Sequence, residues 1–274
     1  MNQSFIFSHL IVVVHSTDNR AVEMLEKALI LSNSNNFDIE VLFVYEPHIF
    51  EKFDFNRAKI KKELDLLVDS FSFKNRVVTE VFEEETFLSI QKHTKNTPNK
   101  HIIMIGNEKS VIKKILHKTH LPIYIVNSKQ NFNYPKVLVP VDFSKTSHYG
   151  IFLAKYLYNH KNIMLVHDFR YELSQEYIYL QRMSNNIQEK SLPINKQEQL
   201  SSIIQLEQIA RFHKLKSTMI YQKDTLQNDI VSYAVSSEYN VIVLASHPHH
   251  IHIFSSTIDK LLDLNSIDLV IITP

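Results

Sequence analysis

Cysteine is absent from this 274-residue chain, which excludes disulfides, thiolate metal sites and cysteine nucleophiles. Glycine is almost absent: Gly106 and Gly150 are the only two. Phosphate cradles that need several glycines, such as a P-loop or a G-x-G-x-x-G turn, are therefore excluded as well. Net charge is missing too. The chain carries 30 Lys and Arg against 29 Asp and Glu, a formal charge of +1, so nothing draws it electrostatically to nucleic acid or an acidic membrane. No apolar run approaches the roughly 20 residues that span a bilayer. The opening "MNQSFIFSHLIVVVHS" has no basic start, and Ser8-His9 interrupts its apolar stretch, so it does not read as a secretory signal. These absences predict a cytoplasmic protein with no nucleic acid and no membrane among its partners. The remaining composition, 44% hydrophobic and 22% charged, is that of a globular protein with room for two domains.

What is present is a repeat. "HLIVVVHSTDNRAVEMLEKALIL" from His9 and "KVLVPVDFSKTSHYGIFLAKYLY" from Lys136 each give a short β-branched run, a few turn-type residues, then apolar positions at helical spacing. The stripe is Val22, Leu25, Ala28 and Leu29 in the first copy, and Ile151, Ala154, Leu157 and Tyr158 in the second. "HIIMIG" from His101 answers "NVIVLA" from Asn240, and "LPIYIV" from Leu121 answers "IDLVIITP" from Ile267. The same order written twice predicts two homologous domains, 1–128 and 133–274, joined near the polar, proline-ended "NSKQNFNYP".

Strands are expected near 9–14, 39–45, 76–82, 101–106 and 122–127, and again near 136–141, 162–167, 217–222, 240–245 and 268–273. Helices of the second copy are expected near 146–159, 196–213, 226–238 and 256–264. Unbroken apolar strands alternating with helices predict doubly wound α/β domains, their parallel sheets covered on both faces. Residues 168–195 form a longer polar segment expected to be helical in part. "RAKIKKELDLLVDSF" (57–71) reads as a surface helix, and "FEEETF" (82–87) as a solvated helix start where glutamate suits the dipole.

The runs "KVLVPVDFSKTSHYGIFLAKYL", "NIMLVHDF", "NVIVLASH" and "LVIITP" together resemble the universal stress protein family. The most specific parts are Val-Pro-Val-Asp at 139–142 and Ala-Ser-His at 245–247. The first copy resembles the same domain with fewer signature residues. The resemblance implies two parallel five-stranded sheets of order 3-2-1-4-5, packed as a pseudo-dimer through their last strands, whose apolar edges need cover. Some members of that family bind ATP, through a strand-end Gly-Ser-His followed by G-x2-G-x9-G and a Ser or Thr; others do not. Ligands of such sheets sit at the carboxyl ends of strands, where the strand order reverses. In the second copy the resemblance places Pro140, Val141 and Asp142 on one side of that crevice and Ala245, Ser246 and His247 on the other. Ser256 and Thr257, at the start of the last helix, would be the anion contacts.

Asp142 matches the family's binding Asp, able to accept from an adenine amine or a ribose hydroxyl. The phosphate loop departs from the pattern. Pro248, with no N–H and a fixed φ, stands at the first glycine, Ile251 roughly at the second and Ser256 at the third, in a shortened loop. In the first copy His15 replaces the Asp, and Gly106 is followed by Glu108 with a helix opening at Ser110-Val111, which leaves almost no loop. A residual site for ATP or another adenine nucleotide is one reading of the second copy, beside no cofactor at all, and the first copy is expected to be structural.

Four histidines, His247, His249, His250 and His252, crowd the same loop. His247 and His249, with Asp142 across the crevice and His167 nearby, offer ligands for an open zinc site. The same residues also read as a pH-sensing cluster or simply as a solvated loop. No G-x-S-x-G elbow is present, and "HDFRYE" (167–172) follows an expected strand end with no nucleophile to serve, so no enzyme mechanism is supported. The expected function is a stress-response protein acting by binding a ligand, a second copy or an unidentified protein, without turnover. Two alternatives stay open. One is a zinc-binding or ATP-hydrolysing second domain. The other is a ligand-free scaffold whose crevice is filled by Phe254 or Ile251.

Overall fold

The computed structural model describes residues 7–46, 55–95, 100–119, 121–128, 134–169, 196–245, 261–262 and 266–273. The first half runs β1 (His9–Val14), α1 (Asn19–Asn35), β2 (Asp38–Tyr45), α2 (Arg57–Asp69), β3 (Val77–Glu83), α3 (Thr86–Thr94), β4 (His101–Gly106), α4 (Lys109–Lys118) and β5 (Ile123–Val126). The second half runs β6 (Val137–Pro140), α5 (Lys145–Leu157), β7 (Ile163–Phe169), α6 (Lys196–His213), β8 (Lys216–Tyr221), α7 (Leu226–Ser236), β9 (Val241–Ala245) and β10 (Asp268–Ile272).

The two expected sheets are in fact one. Ten strands lie in the order β3-β2-β1-β4-β5-β10-β9-β6-β7-β8, and every neighbouring pair is parallel except β5 and β10. Each half keeps the order 3-2-1-4-5. The sheets fuse because an unpaired last strand would leave a row of backbone donors and acceptors with no partner. The seam register is Leu269 with Ile125, Val270 with Tyr124 and Ile271 with Ile123, so a local twofold passes through the Tyr124–Val270 pair. The antiparallel seam also rotates the halves end for end in the plane of the sheet. Their carboxyl-end crevices therefore open at opposite rims of the sheet.

The sheet is buried on both faces because its side chains alternate between two apolar layers. Leu10, Val12 and Val14 of β1 face the layer that contains α1, α2, α5 and α6. Ile11 and Val13 face the opposite layer, with α3, α4, α7 and Leu261-Leu262. Both layers run through the seam: Tyr124 and Val270 share one, and Ile123, Ile125, Leu269 and Ile271 the other.

One buried ion pair crosses the seam. Lys27 of α1 donates to the carboxylate of Asp268 at 2.5 Å, and both are under a tenth exposed. Asp268 also accepts from the Tyr124 hydroxyl (3.0 Å) and from the backbone N–H groups of Asn127 (3.0 Å) and Ser128 (2.8 Å). Burial depresses the Lys27 pKa and the Asp268 charge opposes it, leaving it below the ordinary lysine value. By register, Asp268 stands where the first half has Pro122, and by the repeat Lys27 stands where the second has Ala154. The seam is therefore asymmetric in chemistry although symmetric in backbone.

Scarce glycine shows in how helices end. α1, α6 and α7 all close with a left-handed residue, Asn36 (φ 58°), Lys214 (φ 56°) and Glu238 (φ 58°), where glycine is the usual choice. In each, the next N–H reaches back to a carbonyl five residues earlier: Phe37 to Ser32 (3.3 Å), Leu215 to Ala210 (2.9 Å) and Tyr239 to Ala234 (2.9 Å). Two local expectations are corrected. β7 continues through His167-Asp168 to Phe169, so these residues lie in the strand and do not follow it. In "FEEETF", Glu83 ends β3 and α3 starts at Thr86 with no acidic residue in its first turn. The segment 170–195, expected to be helical in part, lies outside the described residues.

Candidate functional site

The second half's crevice begins with what a proline does to a strand. Val141 N–H donates to the Val166 carbonyl of β7 at 2.8 Å, so by alternation the amide of Pro140 would face β9. Proline has no hydrogen to give there. Pairing of β6 with β9 stops at Leu138 with Ile242, whereas in the first half β1 pairs with β4 on to Val12 with Met104, one position nearer the rim. The strands part, and a cavity of about 180 Å³ lies between their carboxyl ends. Its apolar walls include Val141, Val166, Ile230, Leu244 and Leu261; Asp142, Ser147, His167, Asp168 and Gln227 add polar groups.

Each wall is fixed locally. Asp142 accepts from the Ser144 amide (3.0 Å) and hydroxyl (2.6 Å), while Ser144 Oγ accepts from Ser147 N–H (3.2 Å) and caps α5. One carboxylate oxygen of Asp142 is thereby engaged and the side chain stays exposed. Phe143 between them has φ 63°, a left-handed conformation that a bulky residue rarely adopts and that costs on the order of 1–2 kcal/mol. Its ring lies 4.1 Å from the imidazole of His167, centroid to centroid. His167 donates from Nδ1 to the Val141 carbonyl (2.7 Å), which leaves Nε2 as the basic nitrogen. Across the cavity, buried Asp229 accepts from the Lys223 and Asp224 amides at 3.1 Å, and Thr225 caps α7, so the turn leading to Leu226 and Gln227 is held. α5 lies close along the end of β9: a Cβ at Gly150 would stand 3.4 Å from the Ala245 nitrogen, an ordinary van der Waals contact.

The equivalent crevice of the first half is spanned by side chains. His15, in the position of Asp142, meets the Val44 carbonyl through Nδ1 (2.8 Å) and Glu108 through Nε2 (2.7 Å). Burial alone would lower the His15 pKa. The Glu108 hydrogen bond and charge, helped by the Val44 carbonyl, outweigh it and leave the pKa above the ordinary histidine value. An imidazole donating from both nitrogens is a cation, and it ties the end of β1 to the start of α4.

Of the residues named from sequence, the structure brings Pro140, Val141, Asp142 and Ala245 together around the cavity, with His167 beside them. Ser246, His247, His249, Ser256 and Thr257 lie outside the described residues, as do Pro248 and the other loop histidines. Sequence reasoning missed Ser147, Asp168 and the α7 wall of Leu226, Gln227 and Ile230. The strand order was the available signal, because it places the helix before β9 over the ends of β6 and β7.

An internally duplicated, doubly wound α/β sheet with crevices at its strand-order reversals is the class of protein that these observations define. Among solved structures, a universal stress protein from Archaeoglobus fulgidus DSM 4304 matches over 97% of this chain and 98% of its own, at TM-score 0.62 and 16% identity. A putative universal stress protein from Pseudomonas aeruginosa UCBPP-PA14 matches over 98% of this chain and 94% of its own, at TM-score 0.65 and 11% identity. The chain has the universal stress protein fold, in its tandem form. No protein-family model matches the sequence, and no curated protein does.

Proposed function

We propose that this protein serves in stress response by binding a small planar, purine-type ligand in the crevice of its second half, without turnover. The observation that carries this reading is the cavity opened by Pro140, with Asp142 at its mouth. At about 180 Å³ it lies below the roughly 300 Å³ at which ligand pockets usually begin. A base fits that size better than a whole nucleotide. Mostly apolar walls with a few polar groups suit a flat heteroaromatic ring, and the exposed carboxylate of Asp142 suits an exocyclic amine or ribose hydroxyl. The altered phosphate loop (Pro248, Ile251, shortened) argues that phosphate adds little affinity. Binding without turnover is part of this reading: Ser147 Oγ, the hydroxyl on the described cavity wall, donates to the Ser144 carbonyl (2.9 Å), which cannot take its proton.

The test is calorimetric titration of the full chain with adenosine and with ATP. Adenosine should bind, ATP no more than a few-fold tighter, and Asp142→Ala should weaken both at least tenfold. Failure of both ligands, or binding untouched by Asp142→Ala, would sink the reading. ATP binding a hundredfold tighter than adenosine would restore a working phosphate loop in its place.

A further inference from the structure

Far from that crevice, at the amino ends of the first half's strands, three side chains converge. His9 starts β1 and His101 starts β4, and the register sets them directly side by side. Their rings stack at 5.1 Å. Glu40 of β2 reaches over from the next strand. The ligand-capable atoms of His9, Glu40 and His101 all lie within 4.8 Å of one another. His9 Nδ1 is 3.4 Å from Glu40 Oε1, and His101 Nε2 is 4.0 Å from the same oxygen. Around a tetrahedral zinc-type ion, with bonds of roughly 2.0–2.2 Å, such atoms sit about 3.3 Å apart. One edge of the triangle already has that length, and small χ rotations close the others.

Three further facts favour a ligand over a chance cluster. His9 Nδ1 is shielded from solvent and has no hydrogen-bond partner among the described residues, an orphaned lone pair or N–H in a polar setting. His101 is 2% exposed, so a histidine is kept where an apolar residue would pack more cheaply. Glu40 is oriented from outside: His93 Nδ1 meets its Oε2 at 3.0 Å, and His93 Nε2 lies 3.4 Å from Glu80. Such an outer pair holds the ligating carboxylate in place. A groove of about 370 Å³, with Arg76, Asp38 and Glu80 on its walls, gives an ion and its water access to the cluster.

We propose that His9, Glu40 and His101 bind a divalent transition ion of the zinc class, with His93 as the positioning residue for Glu40 and the fourth coordination place open to the groove. Two imidazoles and one carboxylate plus water form a recognised open zinc set. The site is distinct from the loop histidines, which belong to the other half.

The experiment titrates the chelator-treated full chain with Co²⁺, read by its visible absorption, and then displaces it with Zn²⁺. Because the loop histidines are a rival, the reference is the His247→Ala, His249→Ala, His250→Ala, His252→Ala variant. That variant should keep one equivalent of Co²⁺ with an intense, low-symmetry spectrum. On its background His9→Gln and Glu40→Gln should weaken binding at least a hundredfold, and His93→Gln 10–100-fold. His9 is partly exposed, so its replacement should leave the far-UV spectrum unchanged; if it does not, cobalt-shifted imidazole proton resonances of the reference variant report the ligands directly. No uptake by the reference variant, uptake indifferent to His9→Gln and Glu40→Gln, or no shifted imidazoles would overturn the proposal. None of these outcomes depends on purine binding, which uses the second half.

Discussion

At the carboxyl end of β1 the residue facing the crevice is an imidazole anchored at both nitrogens; at the same place on β6 it is a carboxylate held on one side only. In the first half, β1 and β4 stay paired nearly to the rim and His15–Glu108 spans the gap. In the second, Pro140 ends the pairing early and a cavity remains. The difference shows how few residues separate a crevice spanned by side chains from an open one. A histidine for an aspartate, a glutamate beyond the glycine and a valine for a proline account for the contrast. The strand order and both core layers are unaffected.

The seam offers the largest way to break this comparison, because among the described residues Asp268 is the charged group that the second half pairs with a buried charge of the first. Asp268→Ala should cost about 3–5 kcal/mol, since it strands the Lys27 ammonium and two backbone amides, and the urea midpoint would show it. Lys27→Met should cost less, as Asp268 keeps three of its four donors. Equal costs would mean that the carboxylate's other bonds contribute nothing. Next in size are the left-handed helix ends. Lys214→Gly should stabilise by about 1 kcal/mol, and Asn36→Gly by less, because asparagine tolerates that conformation better than lysine. Thermal midpoints of the two variants check the order.

The smallest effect sharpens the crevice contrast itself. Glu108→Gln should cost about 0.2–1 kcal/mol, as expected of a half-exposed pair. The His15 pKa is raised in the folded state, so its stabilising contribution is complete below the ordinary value of 6.5 and fades as pH rises through the folded value. The gap in urea midpoint between parent and Glu108→Gln should therefore shrink from pH 5.5 to pH 8.5. A gap that widened with pH would mean that His15 is neutral and the closure is not ionic.

Most of the fold was legible in the chain. Strands such as "LIVVV" and "VIVLA", covered on both faces, leave unbroken apolar runs, and the expected bounds fall within a residue or two of β1, β4 and β9. The single sheet was not legible. "LPIYIV" and "IDLVIITP" announce edges that need cover, but edge-to-edge hydrogen bonding and face-to-face packing bury the same side chains. β7 was cut short because His167 and Asp168 look like a strand's end, although both line the cavity and Asp168 is buried. Of the candidate site, "VPVD" located Asp142, but Pro140 could be seen as the opener only once the side of its missing N–H was known. The His9, Glu40 and His101 cluster spans three strands and has no local motif. Two histidines at the starts of strands 1 and 4 were its one trace, meaningful only with the strand order in hand.

The seam has a consequence for how such a molecule depends on its own abundance. Two separate domains that met through their last strands would obey mass action, falling apart on dilution and exchanging partners with other copies. Here both last strands belong to one chain, joined by the short stretch between β5 and β6, so the effective concentration of one half near the other is fixed and high. Assembly no longer requires that both halves be able to do everything. The unfolding midpoint should be the same at any protein concentration, and one half is free to fill its crevice with an ion pair while the other keeps its crevice open.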